Sequence, residues 1–319
     1  MKAAVYKRYG QPGVLQINEV DKPTPKSNEI LLRVKATAVN SGDVRLRKAD
    51  PFAVRFFFGL IKPKTHILGS VYSGEVEGIG TDVRNVQIGD ALFGHTDMKF
   101  GAYAEYIILP AAGSFAIKPA MISHEEAAAI PFGAVTARHF LRKANIQPGQ
   151  KLLVVGASGA VGTAAIQLAK TLGAHVTSVC SAANVDLVKS LGADKVIDYT
   201  TEDFTKNGET YDLIFDTVNS IDIARSARSL SRNGVMILSA AEMPEMLQGL
   251  WISMTGKHQV ITGVTKHSAE DIQFLKELIE AGKFKPVIDT TYTVEQIAAA
   301  HAYVEKGHKK GNVVITIKN

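Results

Sequence analysis

The chain has 319 residues, carries 36 Lys+Arg against 31 Asp+Glu for a formal net charge of +5, and is 46% hydrophobic and 21% charged. That balance belongs to a globular protein with one large or two ordinary domains; it excludes a disordered chain, a collagen and a disulfide scaffold. A single cysteine, Cys180, excludes an intrachain disulfide, a Cys-x-x-Cys redox pair and a multi-cysteine zinc lobe, and points to a reducing, cytoplasmic compartment.

Residues 1–7 alternate like a strand and carry no apolar run, so they read as the start of the fold rather than as a signal or transit peptide. Alternating runs at 29–36, 71–80 and 101–110, punctuated by Pro23, Pro25, Gly80, Gly89 and Pro110, predict an antiparallel β domain. Within it, 52–61 is strongly apolar but holds Arg55, and ten residues are too few to cross a bilayer. The segment reads either as a buried loop or short helix, or as the apolar wall of a substrate cleft made by Phe52, Phe56, Phe57, Phe58 and Leu60. No membrane partner is expected. Nor is a nucleic-acid partner, since the lysines form no run longer than Lys309-Lys310.

After Pro119 the character changes, and Ser123-His124-Glu125-Glu126 has the spacing of a capping box that opens a helix. Buried-strand runs follow at 151–157, 174–180, 195–198, 211–216, 235–239 and 259–264, with helical patterns at 161–172, 184–191, 221–230 and 242–255 between them. That alternation predicts an α/β chain with a doubly wound parallel sheet over 122–265. A helix at 269–281, a strand at 287–292, a helix at 294–306 and a strand at 312–317 then return to mixed structure. Residues 266–319 are expected to join 1–121 in one discontinuous domain.

Val155-Gly156-Ala157-Ser158-Gly159-Ala160-Val161-Gly162 follows a strand and precedes a helix, the setting of a dinucleotide-binding turn. In a G-x-G-x-x-G fingerprint Ala157, Gly159 and Gly162 hold the three glycine places, so the first departs and Gly156 is expected to relieve the turn. The amides from Ser158 to Val161 then stand where a helix start would meet a diphosphate. A free ribose 2′-OH calls for an acid about 20 residues on, whereas a 2′-phosphate is repelled by one. The second strand ends instead in Cys180-Ser181-Ala182-Ala183-Asn184, which favours NADP(H) over NAD(H). Cys180 reads as a small buried hydrophobe.

These motifs, together with Val34-Lys35-Ala36-Thr37-Ala38-Val39-Asn40-Ser41-Gly42-Asp43, Leu68-Gly69-Ser70-Val71-Tyr72-Ser73-Gly74, Gly89-Asp90-Ala91-Leu92-Phe93-Gly94 and Gly311-Asn312-Val313-Val314, extend over nearly the whole chain. In that order and spacing it resembles the medium-chain dehydrogenase/reductase superfamily, in its zinc-free quinone oxidoreductase-like branch. The resemblance implies a GroES-like β domain built from both chain ends and a Rossmann domain between them. Zinc-dependent members have Cys and His where this chain has Asn40 and Ser70, so no metal is expected. Without a Lewis acid, reduction of a quinone or an activated alkene is favoured over alcohol chemistry.

Carried over residue by residue, the resemblance implies that Thr136 touches the nicotinamide-side phosphate or ribose, while Gly156, Ala157, Ser158, Gly159, Ala160 and Val161 hold the diphosphate. Ser181 and Asn184 fall to the 2′-phosphate, Tyr199 lies near that end, and Ser239 lies near the adenosine or is simply structural. Asn312 stands where the family often has lysine, and Val71 where an acid is common. For catalysis, Asn40 is either a hydrogen-bond donor to a substrate oxygen or a turn residue, and Tyr72 either a phenolic donor or a packed strand residue. The expected protein is an NADPH-dependent reductase of a small hydrophobic electrophile, a homodimer paired through the sixth Rossmann strand. A nucleotide-binding sensor without turnover is the other reading.

Overall fold

The structure, a computed structural model, describes residues 1–254 and 258–318, so Thr255 at the end of the helix expected over 242–255 lies outside the described residues. The chain divides into two compact units, Met1–Phe132 with His267–Asn319 and Gly133–Lys266.

The second unit is a six-stranded parallel sheet, in spatial order Lys195–Asp198, His175–Cys180, Lys151–Val155, Tyr211–Asp216, Leu230–Leu238, Gln259–Ile261. Numbered along the chain this is 3-2-1-4-5-6, the doubly wound order whose direction reverses beside the first strand. Leu152, Leu153, Val154, Ile214, Phe215, Met236 and Ile237 are wholly enclosed, as strands covered by helices on both faces must be. The helices Ala160–Thr171 and Met243–Met254 lie within a residue or two of their expected bounds. The helix expected over 221–230 differs. Only Ile223–Ser226 is α-helical, and the strand begins already at Leu230, because the buried Ser226 and Ser229 disfavour helix and Asn233, at φ +65°, bends an early strand segment.

The first unit is a seven-stranded sheet around Glu29–Val39, which pairs antiparallel with Val71–Ile79, Tyr106–Pro110 and Asn312–Thr316. Leu32, Val34, Leu92, Tyr103, Val313 and Ile315 pack its core, so the C-terminal segment is part of the same hydrophobic body as the N-terminal one. The sheet is not wholly antiparallel: Ile288–Thr293 and Asn312–Thr316 pair parallel, joined by a crossover through the helix Ile297–Glu305. The capping box at Ser123 is present, and its helix His124–Ala128 packs on Glu29–Val39 and Val71–Ile79. Ala36, Ala128, Ala129 and Val314 close that contact. Residues 122–132 therefore cluster with the β unit, and the division falls after Phe132 rather than after residue 121.

Candidate active site

In the second unit, the strand Lys151–Val155 runs into the glycine turn and the helix Ala160–Thr171. Gly156 sits at φ +75°, where a Cβ would come within 2.6 Å of Val218 and 2.7 Å of the Thr217 hydroxyl. Thr217 Oγ1 donates to the Val155 carbonyl at 2.9 Å, fastening the loop after the fourth strand to the turn. At Gly162 a Cβ would lie 2.3 Å from the Gly156 carbonyl oxygen, so only glycine lets the helix approach the turn this closely. Gly159 is different in kind, since no atom comes nearer than 3.5 Å to its Cβ position. It is also the N-cap, with no side chain to accept from the first-turn amides. Open space over uncapped amides at a helix start fits a bound diphosphate.

The departure at Ala157 is thereby explained. Gly156 makes the turn, and the buried Ala157 donates its N–H to the Val179 carbonyl at 3.1 Å, tying the turn to the second strand. Gly133 in the helix Pro131–Lys143 packs so close that a Cβ there would meet the Ala160 carbonyl oxygen at 2.3 Å, and Thr136 stands buried one turn further along.

At the tip of the second strand, Asn184 Nδ2 donates to Ser158 Oγ at 3.2 Å and to Ser181 Oγ at 3.1 Å. Both serine oxygens thus accept from Asn184 and keep their own O–H to donate. Asn184 Oδ1 is buried without a partner among the described residues. The structure therefore brings together three residues that the sequence holds 26 positions apart at most. Asp198, beside Cys180 in the sheet register, is engaged by the N–H and Oγ1 of Thr200. Tyr199 is exposed, and its N–H donates to the Cys180 carbonyl at 3.2 Å. Ser239 donates to the Asp216 carbonyl at 3.2 Å and so has a local structural task. Burial pushes the Cys180 thiol up to about 11, which leaves it inert.

In the first unit, Asn40 ends the strand Glu29–Val39 and N-caps the helix Ser41–Lys48. Its Oδ1 accepts from the Asp43 N–H at 3.0 Å, and its Nδ2 donates to Ser70 Oγ at 2.8 Å. Asn40 is thus a cap residue, and one of its amide hydrogens and the Ser70 O–H have no partner among the described residues. Below the pair lies Asp43, which is fully buried and accepts from the Tyr103 hydroxyl at 3.0 Å. Burial pushes its carboxyl up to about 7 against the hydrogen bonds from Tyr103 and from the backbone at Asn40 and Gly69. Ser70 is the residue that sequence reasoning valued only as a lost metal ligand.

Of the two readings of Tyr72, the packed strand residue is the one that matches its burial. Tyr72 is wholly enclosed in the β core, its hydroxyl has no partner among the described residues, and burial holds the phenol well above its usual range. A group sealed there cannot hand a proton to a substrate. Phe52, Phe56, Phe57 and Leu60 stand exposed on this unit, while Phe58 packs edge-on to Phe100. Asn312 Nδ2 donates to the Val287 carbonyl at 3.1 Å, a strand-fixing contact.

Among the described residues one group has donor atoms close enough for a metal ion: His95, Asp97 and His267. His95 Nδ1 already accepts from the Asp97 N–H at 2.8 Å, and the two imidazoles stack 3.7 Å apart at 13°. In-plane lone pairs in near-parallel planes do not converge on one ion.

The family described as "Alcohol dehydrogenase GroES-like domain" matches residues 26–119, and that described as "Zinc-binding dehydrogenase" matches 191–315. A chloroplast envelope quinone oxidoreductase homolog of Arabidopsis thaliana is 33% identical over 99% of this chain and 98% of its own. The chain belongs to the quinone oxidoreductase-like branch of the medium-chain dehydrogenase/reductase superfamily. Among solved members of the branch, a quinone oxidoreductase from Coxiella burnetii is 27% identical with a TM-score of 0.90, covering 100% of this chain and 99% of its own. The Escherichia coli quinone oxidoreductase complexed with NADPH is 26% identical with a TM-score of 0.82, covering 99% and 100%. Zinc, named in one family description, does not fit here. The positions of the lost ligands hold Asn40 and Ser70, neutral groups already hydrogen-bonded to each other, in place of thiolate and imidazole.

Proposed function

We propose that this chain is a metal-independent, NADPH-dependent reductase that delivers hydride to a quinone or an enone-type activated alkene. The observation that carries the reading is the uncapped helix start at Gly159 joined through Asn184 to Ser158 and Ser181, a cradle of amide and hydroxyl donors. An NADPH-dependent alkenal/one oxidoreductase of Arabidopsis thaliana, 30% identical over 99% of this chain and 79% of its own, supports it.

The amides of Ser158 to Val161 would hold the diphosphate, the Ser158 and Ser181 hydroxyls the 2′-phosphate, and Thr136 the nicotinamide side. Tyr199 would cover the adenosine end with its exposed ring. The bound cofactor supplies the hydride. Addition of hydride to such a substrate moves an electron pair onto its oxygen, and the free amide hydrogen of Asn40 and the Ser70 O–H are the donors available to hold that charge while solvent supplies the proton. A fixed donor of this kind is worth about 10²–10³ in rate.

We further infer a homodimer. The helix Met243–Met254 exposes Leu247, Leu250, Trp251 and Met254 on one face, next to the edge strand Gln259–Ile261 that ends the Rossmann sheet. A reducing, cytoplasmic setting accords with the single buried thiol.

Stopped-flow mixing of the protein with NADPH and a panel of quinones and enones tests the reading. The expected result is cofactor oxidation by at least one acceptor, slowed by Ser70→Ala with NADPH affinity unchanged. Tight NADPH binding without oxidation by any acceptor would establish the nucleotide-sensor reading in its place.

A further inference from the structure

We infer that the loop around the short helix Val54–Phe58 docks the protein on the surface of an anionic phospholipid bilayer. Phe52, Phe56, Phe57, Leu60 and Ile61 are exposed to 60%, 67%, 76%, 56% and 88%, a cluster of large apolar side chains within ten residues. Isolated exposed hydrophobes are ordinary, but a contiguous aromatic and aliphatic patch of this kind marks an interaction surface.

The patch is carried on a firm base. Phe58 packs edge-on to Phe100 with ring centroids 5.9 Å apart, the Tyr9 hydroxyl donates to the Gly59 carbonyl at 2.8 Å, and the Lys64 N–H closes the loop on the Phe58 carbonyl at 2.8 Å. Arg55 lies 5.0 Å over the Tyr9 ring and 5.2 Å over Phe52. Five apolar side chains are thus held outward by a loop fastened at Arg55, Phe58, Gly59 and Lys64, which limits the ordering to be done on binding.

Charge decides what the partner is. Between Asp50 and Glu75 the chain has no acidic residue, while Arg55, Lys62 and Lys64 are basic and both lysines are exposed. Apolar side chains flanked by Arg55, Lys62 and Lys64, with the one nearby exposed acid, Asp50, ion-paired to Lys48, suit a negatively charged interface into which rings can sink. The other exposed apolar face, on Met243–Met254, has no Lys or Arg and one acid, Glu245, as a protein contact requires no such sign. The expectation of no membrane partner rested on length, and ten apolar residues are indeed too few to span. They are enough to lie in the headgroup boundary, a geometry that hydropathy windows do not detect.

The test is sedimentation of the full chain with phosphatidylcholine vesicles and with vesicles that also contain phosphatidylglycerol. Binding is expected to the anionic vesicles and to weaken as salt is raised. Phe56→Ser with Phe57→Ser should lower the partition by about tenfold or more, and Lys62→Glu with Lys64→Glu should abolish the preference for phosphatidylglycerol. Since all four side chains point into solvent, thermal midpoints and NADPH affinity should not move. The proposal falls if the wild-type chain ignores both vesicles, or if the phenylalanine variant binds them as well as wild type. It falls also if that variant changes the oligomeric state while vesicle binding persists, which would make the patch a protein interface.

Discussion

Gly162 shows how one residue can govern a site it does not touch. An added methyl would meet the Gly156 carbonyl oxygen at 2.3 Å and the Ala157 Cα at 2.7 Å, both backbone atoms that cannot turn aside. The helix start would have to move away from the strand, carrying the first-turn amides with it. Gly162→Ala is therefore expected to cost about 1–3 kcal/mol of stability and to weaken NADPH binding, as read from a denaturant midpoint and a fluorescence titration. Gly159→Ala offers the contrast, because its Cβ position is open in the free protein, so stability should hold while the cofactor is opposed. The glycines were legible in the sequence, and the close contacts at Gly156 and Gly162 agree with the places the fingerprint gave them. The fingerprint left Ala157 in the first glycine place with Gly156 expected to relieve the turn, and the positive φ at Gly156 agrees with that expectation. Ser70, by contrast, was hidden. Its significance lies in a 2.8 Å contact with Asn40 across 30 residues of chain, which no local pattern encodes.

Elements formed where local chemistry and burial agreed. Ser123 accepts from the Glu126 N–H while Glu126 accepts from the Ser123 N–H, so four residues were enough to place a helix start. Over 221–230 the apolar spacing suggested a helix, but Ser226 and Ser229 are enclosed beside Ile223 and Leu230, and the segment breaks after one turn. The helix Met243–Met254 is legible as a helix, but Leu247, Leu250, Trp251 and Met254 face outward while Ile252 packs on the core. If that face is the contact between two copies, Leu250→Glu with Trp251→Glu should convert a dimer to a monomer in light scattering. A dimer that survives the double change would place the contact elsewhere.

Across the whole molecule, buried titratable groups set the response to pH. Burial, with Arg47 alongside, takes His301 down to about 3, and burial with His267 alongside takes His95 well below its usual value. Both are neutral when folded and bind a proton once unfolded, so the unfolded chain gains protons below about pH 6.5 and stability falls with acidification. Asp43 and Asp216 act oppositely, since burial raises both and the folded state is then the one that holds the proton. His124 and His139 add to the histidine side, burial lowering each. The histidines outnumber the two carboxyls, and the expected net loss from pH 6.5 to 5 is on the order of 1 kcal/mol per pH unit, measured as a falling thermal midpoint. A midpoint that is flat or rises over that window would contradict the burial of these histidines. By itself the sequence determined the two-part α/β architecture, the parallel sheet and the position of the glycine-rich turn. Each is written in short-range signals: periodicity, glycine spacing and a cap. Tertiary structure alone decided which side chains are sealed and which stand in solvent, moving Tyr72 into the core, Ser70 beside Asn40 and the Phe52–Leu60 cluster out to the surface. Burial is a property of the packed whole, and a strand or loop reads the same in sequence whichever way its neighbours close over it.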